Sequence, residues 1–353
     1  MGLVQSHHGL IALRATVGIF EAALFPGATY LLSCWYLRRE MAKRLTAFYM
    51  TGVFFSGISS ILAYGFAQIT TGTYRGWRWI FIGEALLSIA IAVPCYWLIV
   101  DFPNSHRCTF LTEEEKKIVN TRIQRDRADA ELDKFTLAKM GKYAIDLKLW
   151  AFALCFCFST TGSYALSYFA PRIIATMGFT GKDIYLLIIP PYVLALPWGM
   201  GMAIYSDKTG RRIPFIQANA CIALLGCALF AFLPVTNVAG RYIGIFLACA
   251  SVNSNVALVS TASQSCIRKQ TKRAFTSALV VGFGGIGGIL SGLVFREKDA
   301  ATGYKFGMTF VLAFQAAIIV ITSVLALWFM RCNRLANKGQ KVLEEHAAFR
   351  YQI

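Results

Sequence analysis

The chain has 353 residues, of which 56% are hydrophobic and only 15% charged, and its formal net charge is +17. A soluble protein carries about a quarter charged residues, so a single water-soluble globule is excluded. No nucleophile–base set, metal-ligand cluster or cofactor motif stands out among the four His and ten Cys, so no enzyme, metal or cofactor is expected.

The hydrophobic excess comes as repeated apolar blocks of about 20 residues, the length that crosses a bilayer as a helix. Nine are expected: 9–36, 45–69, 79–100, 149–170, 184–205, 213–233, 241–263, 275–295 and 306–330. The fold class is therefore all-α and polytopic. The blocks divide the chain into residues 1–101, a hydrophilic linker at 102–148, a six-span unit at 149–331 and a tail at 332–353.

The first block, Gly9–Tyr36, holds Arg14 and Glu21. A charge near the middle of a bilayer costs roughly 2.5–3.5 kcal/mol, so it is there for a reason. Their spacing sets both side chains on one face of a helix, about 10 Å apart. A basic and a titratable acidic group on one face point to anion binding beside a proton site. The structural alternative is an ion pair within the helix. Glu84, the other acid inside a span, is expected to be structural.

In the linker, Thr112-x-x-Glu115 is a capping box that opens a helix over Thr112–Arg127. The fourth block carries a polar patch, from which Tyr164 and Tyr168 are candidate cavity residues. Pro190, Pro191 and Pro197 are expected to interrupt or kink the fifth block. Asn253, Asn255 and Gln264 lie in the seventh block; they either read a polar substrate or hold helices together. Gly282-x-Gly284-x-x-Gly287 matches a dinucleotide fingerprint formally, but it lies inside an apolar block with no strand before it. Gly284, Gly288 and Gly292 read instead as a small-residue stripe for close helix packing.

Basic residues fall unevenly between the two sides. Numbering the connections alternately puts 26 Lys and Arg on the side of the linker and tail and 8 on the other. By the positive-inside rule the linker and C-terminus face the cytosol. The excess charge is topology and some attraction to anionic lipid; nucleic acid is not an expected partner.

Several motifs occur in one order. They are Arg14-Ala-Thr-Val-Gly18-Ile-Phe-Glu21-Ala-Ala-Leu-Phe-Pro26-Gly27, then Arg75-Gly-Trp77-Arg78-Trp79, Tyr168-Phe169-Ala-Pro171-Arg172, Pro190-Pro191-Tyr192, Ser206-Asp207-Lys208-Thr209-Gly210-Arg211-Arg212 and Gln270-Thr271-Lys272-Arg273. Together they resemble the major facilitator superfamily, in its anion:cation symporter branch of fungal allantoate-permease-like transporters. The resemblance implies a carrier of a small organic anion (carboxylate, ureide or vitamin) in the plasma membrane, coupled to protons and working by alternating access. It implies proton coupling at Glu21 and anion recognition at Arg14; Tyr164, Tyr168, Asn253 and Asn255, read from their polar groups inside spans, are the remaining substrate-side candidates. Asp207, Lys208, Gly210, Arg211 and Arg212 would form a latch, with Asp207 capping a neighbouring helix. Family members have twelve spans, and the first span here resembles the fourth. The resemblance therefore implies that the Arg14–Glu21 face needs three further helices, from upstream residues or a helper chain. The alternative reading is a truncated, non-transporting or regulatory fragment.

Overall fold

The computed structural model describes residues 1–37, 39–69, 76–103, 105, 108, 110–127, 137–234, 236–296, 304–346 and 349–352. Arg38, Arg75 and the stretch 297–303 lie outside the described residues. The elements, in order, are α1 (His7–Glu21), α2 (Leu24–Trp35), α3 (Met41–Ala67), α4 (Gly76–Leu98), α5 (Glu113–Arg127), α6 (Leu137–Ala144), α7 (Leu147–Ala175), α8 (Lys182–Thr209), α9 (Ile213–Phe232), α10 (Val238–Ser265), α11 (Gln270–Val294) and α12 (Lys305–Asn337). Among the described residues nine segments are long and apolar enough to cross a membrane, α1 and α2 together forming the first. These are the nine expected blocks, with ends shifted by a few residues.

Helices α7 to α12 form the larger bundle, in which α7 and α10 are the most deeply buried. The sequence of α10 explains its place. Ala248, Ser251, Ser254, Ala257 and Ser260 are small and buried, so α9, α8, α7 and α3 can approach it closely. Helices α2 and α3 lean on this bundle through α11 and α8. No residue of α1 or α4 is buried. Glu84 on α4 accepts a 2.8 Å hydrogen bond from Ser59 on α3, the structural role expected of it.

Two expectations are corrected. Of the expected interruption or kink, the interruption does not occur: α8 runs as one helix from Lys182 to Thr209 through all three prolines. A proline frees the carbonyl four residues before it. For Pro191 that carbonyl belongs to Leu187, and the Tyr242 hydroxyl donates a 2.9 Å hydrogen bond to it. The glycine stripe on α11 packs on α7 as expected at Gly284 and Gly288, where a Cβ at Gly288 would lie 3.2 Å from the Tyr164 ring, and is corrected only at Gly292. A Cβ at Gly284 would lie 2.5 Å from the Phe156 ring, and one at Gly287 2.5 Å from the Cys157 carbonyl. Around Gly292 there is open space. The face of α11 against α7 thus carries Gly284, Gly287 and Gly288, with Gly287 added and Gly292 left out.

In the linker the capping box forms as expected. The Glu115 amide donates to Thr112 Oγ1 at 3.3 Å, and the Thr112 amide donates back to the Glu115 carboxylate at 2.9 Å. These bonds hold the Glu115 carboxyl below its ordinary range.

Candidate functional site

A cavity of about 1090 Å³ opens where α3, α7, α8, α10 and α11 meet. That is at the upper end for small-molecule sites. Its walls are aromatic: Phe25, Phe48, Tyr49, Phe156, Tyr164, Tyr168 and Tyr192. Tyr164 and Tyr168, one turn apart on α7, stack with ring centres 5.5 Å apart. Phe25 meets Tyr49 edge-on at 5.9 Å. Among the described residues no Asp, Glu, Lys, Arg or His lines the cavity.

The polar focus is Asn253. Ser163 donates a 2.7 Å hydrogen bond to Asn253 Oδ1, and Asn253 Nδ2 donates to the Cys249 carbonyl at 2.8 Å. The Tyr49 hydroxyl stands 3.5 Å from both Asn253 Oδ1 and Ser163 Oγ, at the limit of a useful bond. Nearby, the Tyr192 hydroxyl donates to Ser167 Oγ at 3.2 Å. The result is an apolar, flat-walled chamber with one convergent set of neutral hydrogen-bonding groups. Such a chamber suits a small ring-bearing molecule with a polar edge.

Tyr164, Tyr168 and Asn253 thus come together, while the other expected substrate-side residues do not join them. Asn255 is fully buried, away from the cavity, and its amide has no hydrogen-bond partner. Arg14 and Glu21 are exposed on α1. They form no ion pair with each other; Arg14 lies over the Phe81 ring at 5.4 Å. Tyr49 was not singled out by sequence. Its one signal is a hydroxyl-bearing ring in an otherwise apolar stretch of α3.

A second constellation lies at the linker end of the bundle. The amides of Ala42 and Lys43, in the first turn of α3, donate to the Asp207 carboxylate at 3.4 and 2.9 Å. No side chain of α3's own N-cap residue does this, so α8 supplies the cap to the other helix group. Arg212 donates to Asp207 at 3.3 Å and is itself buried. Gly210 ends α8 with φ of 65°, a conformation that favours glycine. Ser206 Oγ donates to the Arg211 carbonyl at 2.9 Å, tightening that turn. Lys208 is exposed, with its ammonium 5.9 Å from the Tyr205 ring.

The helical architecture agrees with comparisons to known proteins. The model of the Major Facilitator Superfamily matches residues 1–292. The chain belongs to the Major Facilitator Superfamily. Its relatives include the major facilitator-type transporter hxnP of Emericella nidulans, 28% identical over 94% of this chain and 67% of the relative. They also include the high-affinity nicotinic acid transporter of Saccharomyces cerevisiae, 28% identical over 94% of this chain and 61% of the relative. The chain thus spans about two-thirds of the length of these relatives. The major facilitator proton:xylose symporter XylE, with 6-bromo-6-deoxy-D-glucose bound, shares the fold at a TM-score of 0.63. That match is 15% identical and covers 87% of this chain and 67% of XylE. Family members of this kind are membrane transporters and not enzymes.

Proposed function

We propose that the protein moves a small organic anion together with protons by alternating access, with the aromatic cavity as the substrate chamber. The observation that carries this reading is the cavity itself: it lies between the two helix groups and has one polar focus at Asn253. The nicotinic acid transporter among its relatives suggests a ring-bearing carboxylate, which fits aromatic walls. Since the described walls carry no charge, the counter-charge must come from outside them. Arg14 supplies it in this reading, and Glu21, on the same face of α1, carries the proton. Protonating Glu21 removes a negative charge two turns along α1 from Arg14, about 10 Å away, and so favours the anion. Asp207 with Arg212 closes the linker end, which the basic excess assigns to the cytosol. We assign the chain to the anion:cation symporter branch and to the plasma membrane.

The exposure of Arg14 and Glu21 on α1 favours one elaboration, that a helper chain or further helices cover this face in the working carrier. The test is uptake of radiolabelled nicotinate by proteoliposomes under an inward proton gradient, with neutral nicotinamide and xylose as competitors. Uptake that collapses with the gradient and is blocked by carboxylates alone supports the reading. Gradient-independent uptake, or competition by xylose alone, overturns it. Uptake that appears only when a relative is co-expressed supports the helper-chain elaboration, whereas no uptake by the chain in either setting supports a non-transporting or regulatory fragment instead.

A further inference from the structure

Beyond the last helix, the tail turns back onto the bundle. Leu343, Phe349 and Tyr351 are buried. Tyr351 stacks on Phe329 with ring centres 4.5 Å apart. It also exchanges two hydrogen bonds with Asn333, the Asn333 amide donating to the Tyr351 carbonyl at 2.9 Å and the Tyr351 amide donating back at 3.0 Å. Glu344 points inward and pairs with Lys148 and Lys272. Asp146 pairs with the same two lysines at 3.3 and 2.8 Å. Glu344 and Glu345 have φ of 46° and 60°, left-handed values costly for residues with a side chain. Such strain persists only where the surroundings enforce it, and here the ion pairs of Glu344 do so. At the end of the tail, Arg212 Nε donates to Gln352 Oε1 at 3.1 Å. Arg212 is the residue that also holds Asp207.

We propose that Gln352 and Glu344 are positioning residues of the gate: the docked tail holds Arg212 in place, and Arg212 holds Asp207 on the first turn of α3. This rests on the latch reading of Asp207 given above. The tail then favours the state closed at the linker end, and its release loosens the contact that must break when that end opens.

Hydrogen exchange at the Ala42 and Lys43 amides reads the cap directly, in the purified protein in nanodiscs. Asp207→Asn is expected to raise their exchange by about tenfold, since it weakens a charge-assisted bond that local opening must break. Gln352→Ala is expected to raise it several-fold, while Gln352→Glu, which keeps the acceptor for Arg212, restores the slow rate. Glu344→Gln leaves two lysines short of a partner and can unfold the tail. Gln352→Ala therefore decides, with Lys338→Ala as an exposed control. A merely structural tail would lower the unfolding midpoint without this selective exchange and rescue. If Asp207→Asn accelerates exchange but Gln352→Ala does not, the tail proposal falls and the latch stands. If Asp207→Asn leaves both amides slow, the latch reading falls and the tail proposal falls with it.

Discussion

Asn253 and Asn255 are two residues apart on α10, both fully or nearly buried, and chemically identical. One holds Ser163 at the cavity wall, and the other has no hydrogen-bond partner. A substrate that replaces part of the Ser163–Asn253 pairing gains a hydrogen bond worth about 1 kcal/mol, more if it is charged. Asn253→Ala is therefore expected to raise KM for uptake about tenfold, whereas Tyr49→Phe, losing only 3.5 Å contacts, changes it less than about threefold. An uptake assay of both variants checks this order, and a larger effect at Tyr49 would move the polar focus. At Glu21, Glu21→Gln is expected to abolish accumulation driven by the proton gradient while leaving substrate exchange intact. Accumulation that persists in Glu21→Gln would remove the coupling role. The sequence marked Asn253, Tyr164 and Tyr168 as polar groups at membrane depth, but period alone cannot say which side of a wholly buried helix faces a cavity. For α10, with helices packed on most sides, that depends on which neighbour is missing.

At the scale of elements, the unbroken α8 turns on one hydroxyl from another helix. Tyr242→Phe leaves the Leu187 carbonyl without its donor and is expected to cost about 1–3 kcal/mol. In a Pro191→Ala background the helix regains an amide for that carbonyl, so the same Tyr242 substitution should cost much less. Unfolding midpoints of the four proteins form a double-mutant cycle; equal costs in both backgrounds would show that the Tyr242 bond does not serve the proline. On α11, Gly287→Ala is expected to lower stability by about 1–3 kcal/mol through collision with the α7 backbone. Gly292→Ala meets open space and gains helix propensity of up to about 1 kcal/mol. A thermal shift of opposite sign to this at either site would refute the packing seen here. The sequence displayed the glycines and prolines plainly. It could not disclose which glycine touches α7, because that follows from the crossing of two helices, nor that Tyr242 lies beside Leu187, 55 positions away.

For the molecule as a whole, the ionic cluster under the tail ties the linker to α7, α11 and the C-terminal residues. Burial opposes ionisation of Asp146, but Lys148 and Lys272 outweigh it and hold its carboxyl below the ordinary range. A carboxyl depressed in the folded state adds stability that is complete above its unfolded value, about 3.9. That stability is lost as pH falls through the lower folded value. The unfolding midpoint of the solubilised protein is therefore expected to stay level from pH 7 to about 5 and to fall below about pH 4. Asp146→Asn, which can still cap α7, should be less stable at neutral pH and lose part of that acid dependence. Parallel acid curves for the two proteins would exclude Asp146 as a contributor.

The sequence by itself determined the nine apolar segments, the capped linker helix, the turn after α8 and the family. These are written in runs of hydrophobic length, in one-turn spacings and in a contiguous motif, all local along the chain. Only the tertiary structure decided that Asn253 and not Asn255 reaches the cavity, that Tyr49 joins it, that Asp207 caps α3, and that the tail reaches Arg212. Each of these depends on which helix faces lie against one another. Inside an apolar bundle many faces are similarly hydrophobic, so burial alone does not choose among them; close packing of small residues and a few long-range hydrogen bonds do.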